Sequence, residues 1–175
     1  QEISREKCDL VYDQEPSHLI QADSIYDCAS ITKSIPLALT ALRLIERGDI
    51  SLYQKVSEFI DNCSEDIGNC TLWNLLTHTI DFQFSIGAVA RSGDSVVDTI
   101  LNRSFSVPAG EVYCYSNSSS IVLTMILEEV TGKSFEELTQ EEVFQPLRLN
   151  DSSFGDERAQ PVEYCSWRRR VVRGE

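Results

Sequence analysis

Ser30 and Lys33 stand three residues apart in Ala29-Ser30-Ile31-Thr32-Lys33, at the head of a stretch that becomes amphipathic through Leu37, Ala41, Leu44 and Ile45. On a helix that spacing puts both side chains on one side, so the lysine amine can reach the serine hydroxyl. A serine becomes an effective nucleophile when a neighbouring base takes its proton. A lysine can be that base once desolvation or a nearby charge lowers its pKa. Near a helix N-terminus, backbone N–H groups and the positive dipole end also favour developing negative charge. The chemistry these types suit is attack on a carbonyl. The spacing alone is weakly specific, because Ser4-Arg5-Glu6-Lys7 repeats it in a polar stretch with no apolar helix behind it. For a bare match of this kind, a capped helix with a solvated lysine is the competing account.

A second group of candidates is Tyr115-Ser116-Asn117, between the turn-forming Ser106-Val107-Pro108-Ala109-Gly110 and an apolar helix. In an extended segment, positions two apart point the same way, so the Tyr115 hydroxyl and the Asn117 amide can face one site. A tyrosine beside a lysine has its pKa lowered by the positive charge and can move protons. An amide can hold a substrate carbonyl or the lysine itself. Taken alone, a turn tyrosine followed by a helix-capping asparagine accounts for the same three residues.

The elements that must position these groups follow from pattern and punctuation. Leu10, Val11 and Tyr12 form an apolar patch that suits an edge strand. The helix that starts by Ser30 takes Pro36 in its first two turns and ends at Gly48. A short helix is predicted over 52–60, then a polar loop through Cys63 and Cys70. Thr71 caps a helix whose Leu72, Leu75 and Leu76 share one face. Residues 81–93 read as a loop ending in Arg91-Ser92-Gly93, and Asp94 as the cap of a helix through Val96, Val97, Ile100 and Leu101. An apolar helix runs from about Ile121 to Val130 and stops at Gly132. Ser134 and Glu137 form a capping-box pattern for the next helix, which ends near Pro146. In the tail, Arg168, Arg169, Arg170 and Arg173 surround Trp167, Val171 and Val172, read as a solvated linking segment.

Composition narrows the class. The 175 residues suit one domain, with 42% hydrophobic and 25% charged residues, as in globular proteins. A net charge of −13 argues against nucleic acid as a partner. No apolar run is long enough for a membrane span. The opening residues show no charged segment followed by an apolar one, so no signal peptide is visible. Six cysteines and two histidines include no C-x-x-C pair, which makes a zinc site improbable. Cys63 and Cys70 could close a short loop, whereas Cys28 and Cys114, beside the candidate residues, read as buried free thiols. That usage leans toward a reducing, cytoplasmic setting. His78, at an apolar helix end, reads as a structural hydrogen-bonding residue.

Five motifs occur together in one order: ASITK (29–33), TLWNLLTHT (71–79), PAG-x4-YSN (108–117), VTGKSF (130–135) and QPLRLNDSSF (145–154). In this order they resemble the serine β-lactamase and penicillin-binding-protein family, in the branch of class C β-lactamases, D-peptidases and related esterases. The resemblance covers about residues 20–155. It implies an α+β, β-lactamase/transpeptidase-like fold, here mostly its helical part with an incomplete antiparallel sheet. The chain then reads as a single partial domain: the edge strand and loop at 1–23 read from the apolar patch, a helical region at 24–155 and an Arg-rich tail at 156–175 that resembles a linking segment of one subgroup.

The implied reaction passes through an acyl-enzyme on an amide, lactam or ester carbonyl. Ser30 is then the nucleophile, Lys33 and Tyr115 move its proton, and Asn117 binds substrate or orients Lys33. The Ser30 N–H supplies one oxyanion donor. No cofactor or metal is implied, and the partner is a small-molecule or short-peptide substrate. In the class A version of this chemistry a tripeptide ending in Asn fills the second role and K-T-G the third; Y-x-N matches the class C-like branch. The sequence departs from the family pattern in two places. No Lys- or His-containing triplet ending in Gly follows Asn117 in a strand context, since Thr131-Gly132-Lys133 lies at a helix junction and Arg91-Ser92-Gly93 precedes Tyr115. Ile80-Asp81 replaces the usual Ser-Gly after L-L-T-H-T. A catalytically incomplete domain with a binding role is the alternative those departures raise.

Overall fold

A computed structural model describes residues 23–155 in full and the backbone of 9–12, 15–19, 163–165 and 170–172. The chain forms two compact units, one from Gln1–Ile31 with Asn150–Glu175 and one from Thr32–Leu149.

In the first unit, β1 (Asp9–Tyr12) pairs antiparallel with β2 (Glu15–Leu19), matching Asp9 to Leu19 and Tyr12 to Glu15 with a register shift between Asp9 and Val11. The patch expected to form a strand is β1; its partner carried no comparable apolar signal. A second antiparallel pair joins β3 (Glu163–Cys165) to β4 (Arg170–Val172). Most of the Arg-rich tail lies outside the described residues.

The second unit is helical. A helical turn over Lys33–Ala38 leads into α1 (Leu39–Arg47), which buries Ala41 and Leu44 and ends on left-handed Gly48 (φ 81°). The turn is broken at Ile35 (φ −132°, ψ 108°). A residue that precedes proline is disfavoured in the helical region, so the regular helix expected from Ser30 onward starts only at Leu39. Next come a short 3-10 turn (Val56–Glu58), α2 (Glu65–Gly68), α3 (Leu72–Thr77), α4 (Ile86–Ser92), α5 (Val96–Leu101), α6 (Asn117–Thr131) and α7 (Phe135–Thr139), whose path continues irregularly to Phe144.

The core is the meeting of α1, α3, α5, α6 and α7. It is filled by Leu44, Leu72, Ile100, Val122, Leu123, Ile126, Leu127 and Leu138, all essentially without solvent exposure. The Leu/Ile stripe of residues 121–129 is therefore core, as its spacing predicts. Across α1 and the α7 extension, Arg47 pairs with Glu142, and Arg43 lies 3.8 Å from the same carboxylate.

Several local expectations are corrected. The helix predicted over 52–60 contracts to a single 3-10 turn. Lys55 instead pairs with Thr71 in an isolated bridge, and the Leu72 N–H donates to Gln54 O at 3.1 Å, which keeps that backbone extended. The loop predicted between Cys63 and Cys70 contains α2, capped by Ser64. Residues 86–92, predicted as loop, are α4, capped by Ser85; the helix buries no residue, so it leaves no apolar stripe in the sequence. Ser95 rather than Asp94 caps α5, while Asp94 accepts from the Ser92 hydroxyl at 2.6 Å. Cys28 is exposed rather than buried, Cys114 is half-buried, and Cys63 and Cys70 are free thiols. Among the described residues, no helix is long and apolar enough to cross a membrane.

Candidate active site

Ser30 lies in a turn of the first unit, immediately before the helical residues Ile31 and Thr32. The turn is bracketed locally. The Ala29 N–H donates to Asp27 Oδ1 at 2.7 Å, and the Ile31 N–H donates to Cys28 O at 2.9 Å. Ala29 itself adopts φ 42°, a left-handed conformation that costs a residue with a side chain about 1–2 kcal/mol. Strained backbone of this kind persists where its surroundings impose it, often at functional positions. Ser30 is exposed.

Lys33, Tyr115 and Asn117 belong to the second unit. Lys33 opens the helical turn before α1, and its Nζ lies 5.1 Å from the centroid of the Tyr115 ring. That contact brings Lys33 and Tyr115 together within the second unit. A cation at this distance from an aromatic face is attracted by the ring quadrupole. Tyr115 is 54% exposed, open enough to meet a ligand.

Asn117 is placed differently from the extended arrangement expected of Y-x-N. It is the first helical residue of α6, and Ser116 is the cap, its Oγ accepting the Ser118 N–H at 3.0 Å. The apolar residues begin only at Ile121, so the sequence pattern places the helix start four residues late. The preceding turn is helical but made of serines, of which Ser118 and Ser119 are fully buried.

The sequence reading gave His78 a structural hydrogen-bonding role. In the structure it caps α3 in a left-handed conformation (φ 55°, ψ 42°) and reaches the Tyr115 segment in three ways. Its carbonyl accepts the Cys114 N–H at 2.8 Å, its Nδ1 accepts the Ser116 N–H at 3.3 Å, and its ring packs on the Tyr115 ring at 4.8 Å between centroids. One residue further on, Thr79 O accepts the Gly110 N–H at 2.7 Å. Burial and the Lys33 charge together hold the His78 imidazole below its ordinary pKa.

The Ile80-Asp81 substitution also has a structural account. Ile80 is fully buried, and the Asp81 carboxylate accepts from Gln83 Nε2 at 2.6 Å and Ser106 Oγ at 3.3 Å, which ties this loop to the turn before Tyr115. Thr131-Gly132-Lys133 is the α6 C-terminus and Arg91-Ser92-Gly93 that of α4, so neither is a strand triplet.

The helical arrangement is that of the β-lactamase/transpeptidase-like fold. A class C β-lactamase solved with cefoxitin superposes with a TM-score of 0.67, covering 90% of this chain and 46% of that one at 19% identity. The octameric penicillin-binding-protein homologue from Pyrococcus abyssi gives a TM-score of 0.63 at 25% identity, covering 89% of this chain and 40% of that one. The Beta-lactamase family model matches residues 9–172, and the chain belongs to that family of serine hydrolases. Penicillin-binding protein 4* of Bacillus subtilis is 24% identical over 152 residues, which covers 81% of this chain and 33% of the relative. The chain thus spans about a third of the length of the curated relatives it matches.

Proposed function

We propose that this chain carries the acylation residues of a serine hydrolase that acts on an amide, lactam or ester carbonyl. The single observation behind this reading is the approach of Lys33 Nζ to the Tyr115 ring, which brings the lysine of S-x-x-K beside the tyrosine of Y-x-N. Family membership supports the same chemistry. Ser30 Oγ forms a bond to the carbonyl carbon, and its proton passes to the Lys33/Tyr115 pair. The tetrahedral intermediate collapses as Tyr115 returns a proton to the leaving amine or alkoxide. Water then attacks the ester and releases the acyl group, restoring Ser30. Asn117 holds the substrate carbonyl or the Lys33 amine. β-Lactams, D-amino-acid peptides and simple esters all present the required group.

A second reading, a domain that binds ligands without turnover, rests on the departure at Ile80-Asp81, whose loop is tied through Ser106 to the turn before Tyr115. Intact-mass spectrometry after exposure to a fluorophosphonate and, separately, to a penicillin separates the two. We expect one adduct that maps to Ser30, lost in Ser30→Ala and kept in Ser4→Ala. An adduct on Ser30→Ala protein overturns the nucleophile assignment, and folded protein that forms no adduct with either reagent favours the binding reading.

A further inference from the structure

Tyr115 is flanked by two backbone amides, those of Cys114 and Ser116, and both donate to the same residue. The Cys114 N–H goes to the His78 carbonyl at 2.8 Å and the Ser116 N–H to His78 Nδ1 at 3.3 Å, while the His78 ring packs on the Tyr115 ring. We propose that His78 is the positioning residue of the Tyr115 segment, holding it through a neutral imidazole whose unprotonated Nδ1 accepts the Ser116 N–H. The assignment rests on the reading of Tyr115 as a proton-moving group only for its effect on acylation; the hold on the segment stands by itself.

The tautomer follows from the donor. A backbone N–H can only donate, so Nδ1 must present its lone pair, and in the neutral ring the proton then sits on Nε2. The hold also fixes how α6 begins. Ser116 is the α6 cap, and its Oγ accepts the Ser118 N–H. Losing the Ser116 amide bond therefore loosens the cap and Tyr115 together. The second histidine bond, to the Cys114 amide, is made by the carbonyl and does not depend on the imidazole.

Protonation would turn Nδ1 from an acceptor into a donor facing a donor. The groups that meet the ring oppose this. Burial opposes it most, with the Tyr115 ring packed on the imidazole, and Lys33, from the turn before α1, adds a positive charge. The imidazole is held below its ordinary value of about 6.5, so the unfolded chain takes up the proton first. The contribution to stability is complete above that value and is lost as pH falls from it toward the folded-state value.

The test compares His78→Phe, which keeps an aromatic ring without the acceptor, with His78→Asn, which offers Oδ1 near the Nδ1 position and tolerates a left-handed backbone. Amide hydrogen exchange by NMR is the primary measurement. In the Phe variant the Ser116 amide is expected to exchange about tenfold faster while Cys114 keeps its protection, and in the Asn variant Ser116 protection returns. Equal Ser116 exchange in the wild-type and Phe proteins overturns the proposal, as does a His78 ring whose nitrogen shifts report a proton on Nδ1 at neutral pH. Fluorophosphonate labelling of Ser30 is the second measurement. It is expected to slow about tenfold in the Phe variant, with recovery in the Asn variant, and in wild type to decline on acidification only once pH is below the ordinary imidazole value, where the folded protein's His78 takes up its proton. Wild-type protein that takes no label fails the hydrolase reading alone, because the exchange comparison still decides the role of His78.

Discussion

The Ser30 turn and the Tyr115 segment are both short non-helical approaches to a helix, each presenting one reactive hydroxyl. They are braced in opposite ways. The backbone bonds that shape the Ser30 turn reach two and three residues along the chain, from Ala29 to Asp27 and from Ile31 to Cys28. Those that shape the Tyr115 segment reach His78 and Thr79, across an intervening run that includes α4 and α5. A locally braced turn depends on its own few residues. A remotely braced segment depends on the packing of α3 against α6, since these helices set the distance between its ends. The two hydroxyls should therefore respond differently to damage in the core.

The largest effect is expected at the reacting group itself. Tyr115→Phe keeps the ring that Lys33 and His78 contact and removes only the hydroxyl, so folding is retained while Ser30 acylation slows by about 10²–10⁴-fold, read from fluorophosphonate labelling kinetics. Labelling at the wild-type rate would leave Lys33 as the sufficient base and demote Tyr115 to packing. Next in size is Ile126→Ala in α6. Deleting this buried side chain is expected to cost about 2–5 kcal/mol, measured by urea unfolding, and to weaken amide protection at Cys114 and Ser116 before it weakens that of Ile31. Parallel loss at all three amides would erase the distinction between the two braces.

The smallest effect concerns the local brace. Ala29 holds φ 42°, where glycine is unstrained and a β-branched residue is least tolerated. Ala29→Gly should be neutral to slightly stabilising, and Ala29→Val should destabilise by about 1–2 kcal/mol, both read from thermal melts. A Val variant as stable as wild type would mean that the turn relaxes freely, and the local brace would then be no brace.

The same contrast explains what the amino-acid sequence discloses. Caps that act over three residues are legible: Thr71 with Asn74 and Ser134 with Glu137 form the boxes their spacing announces. The apolar stripe of α6 is legible because Val122, Leu123, Ile126 and Leu127 repeat at helical intervals. Features set by remote partners are not. Lys55 looks helical by its neighbours and is drawn into a bridge by Thr71, and α4 is invisible because it buries nothing. At the candidate site, the residue types of Ser30, Lys33, Tyr115 and Asn117 announce their chemistry. The contact between Lys33 and Tyr115 is implied only by family resemblance, and the bond from Ser116 to His78 has no signature at all, because a backbone donor leaves none.

His78 combines a left-handed backbone, a carbonyl acceptor, a ring acceptor and an aromatic face. That combination bears on how such a chain can drift. A histidine codon becomes an asparagine codon by one base change, and asparagine preserves the backbone and an acceptor while giving up the aromatic face. Glutamine and tyrosine are equally close in codons but are less suited to the left-handed backbone. Asparagine is thus the substitution that selection on folding would admit first, and lineages that adopt it would keep the course of the segment while losing the ring packed against Tyr115.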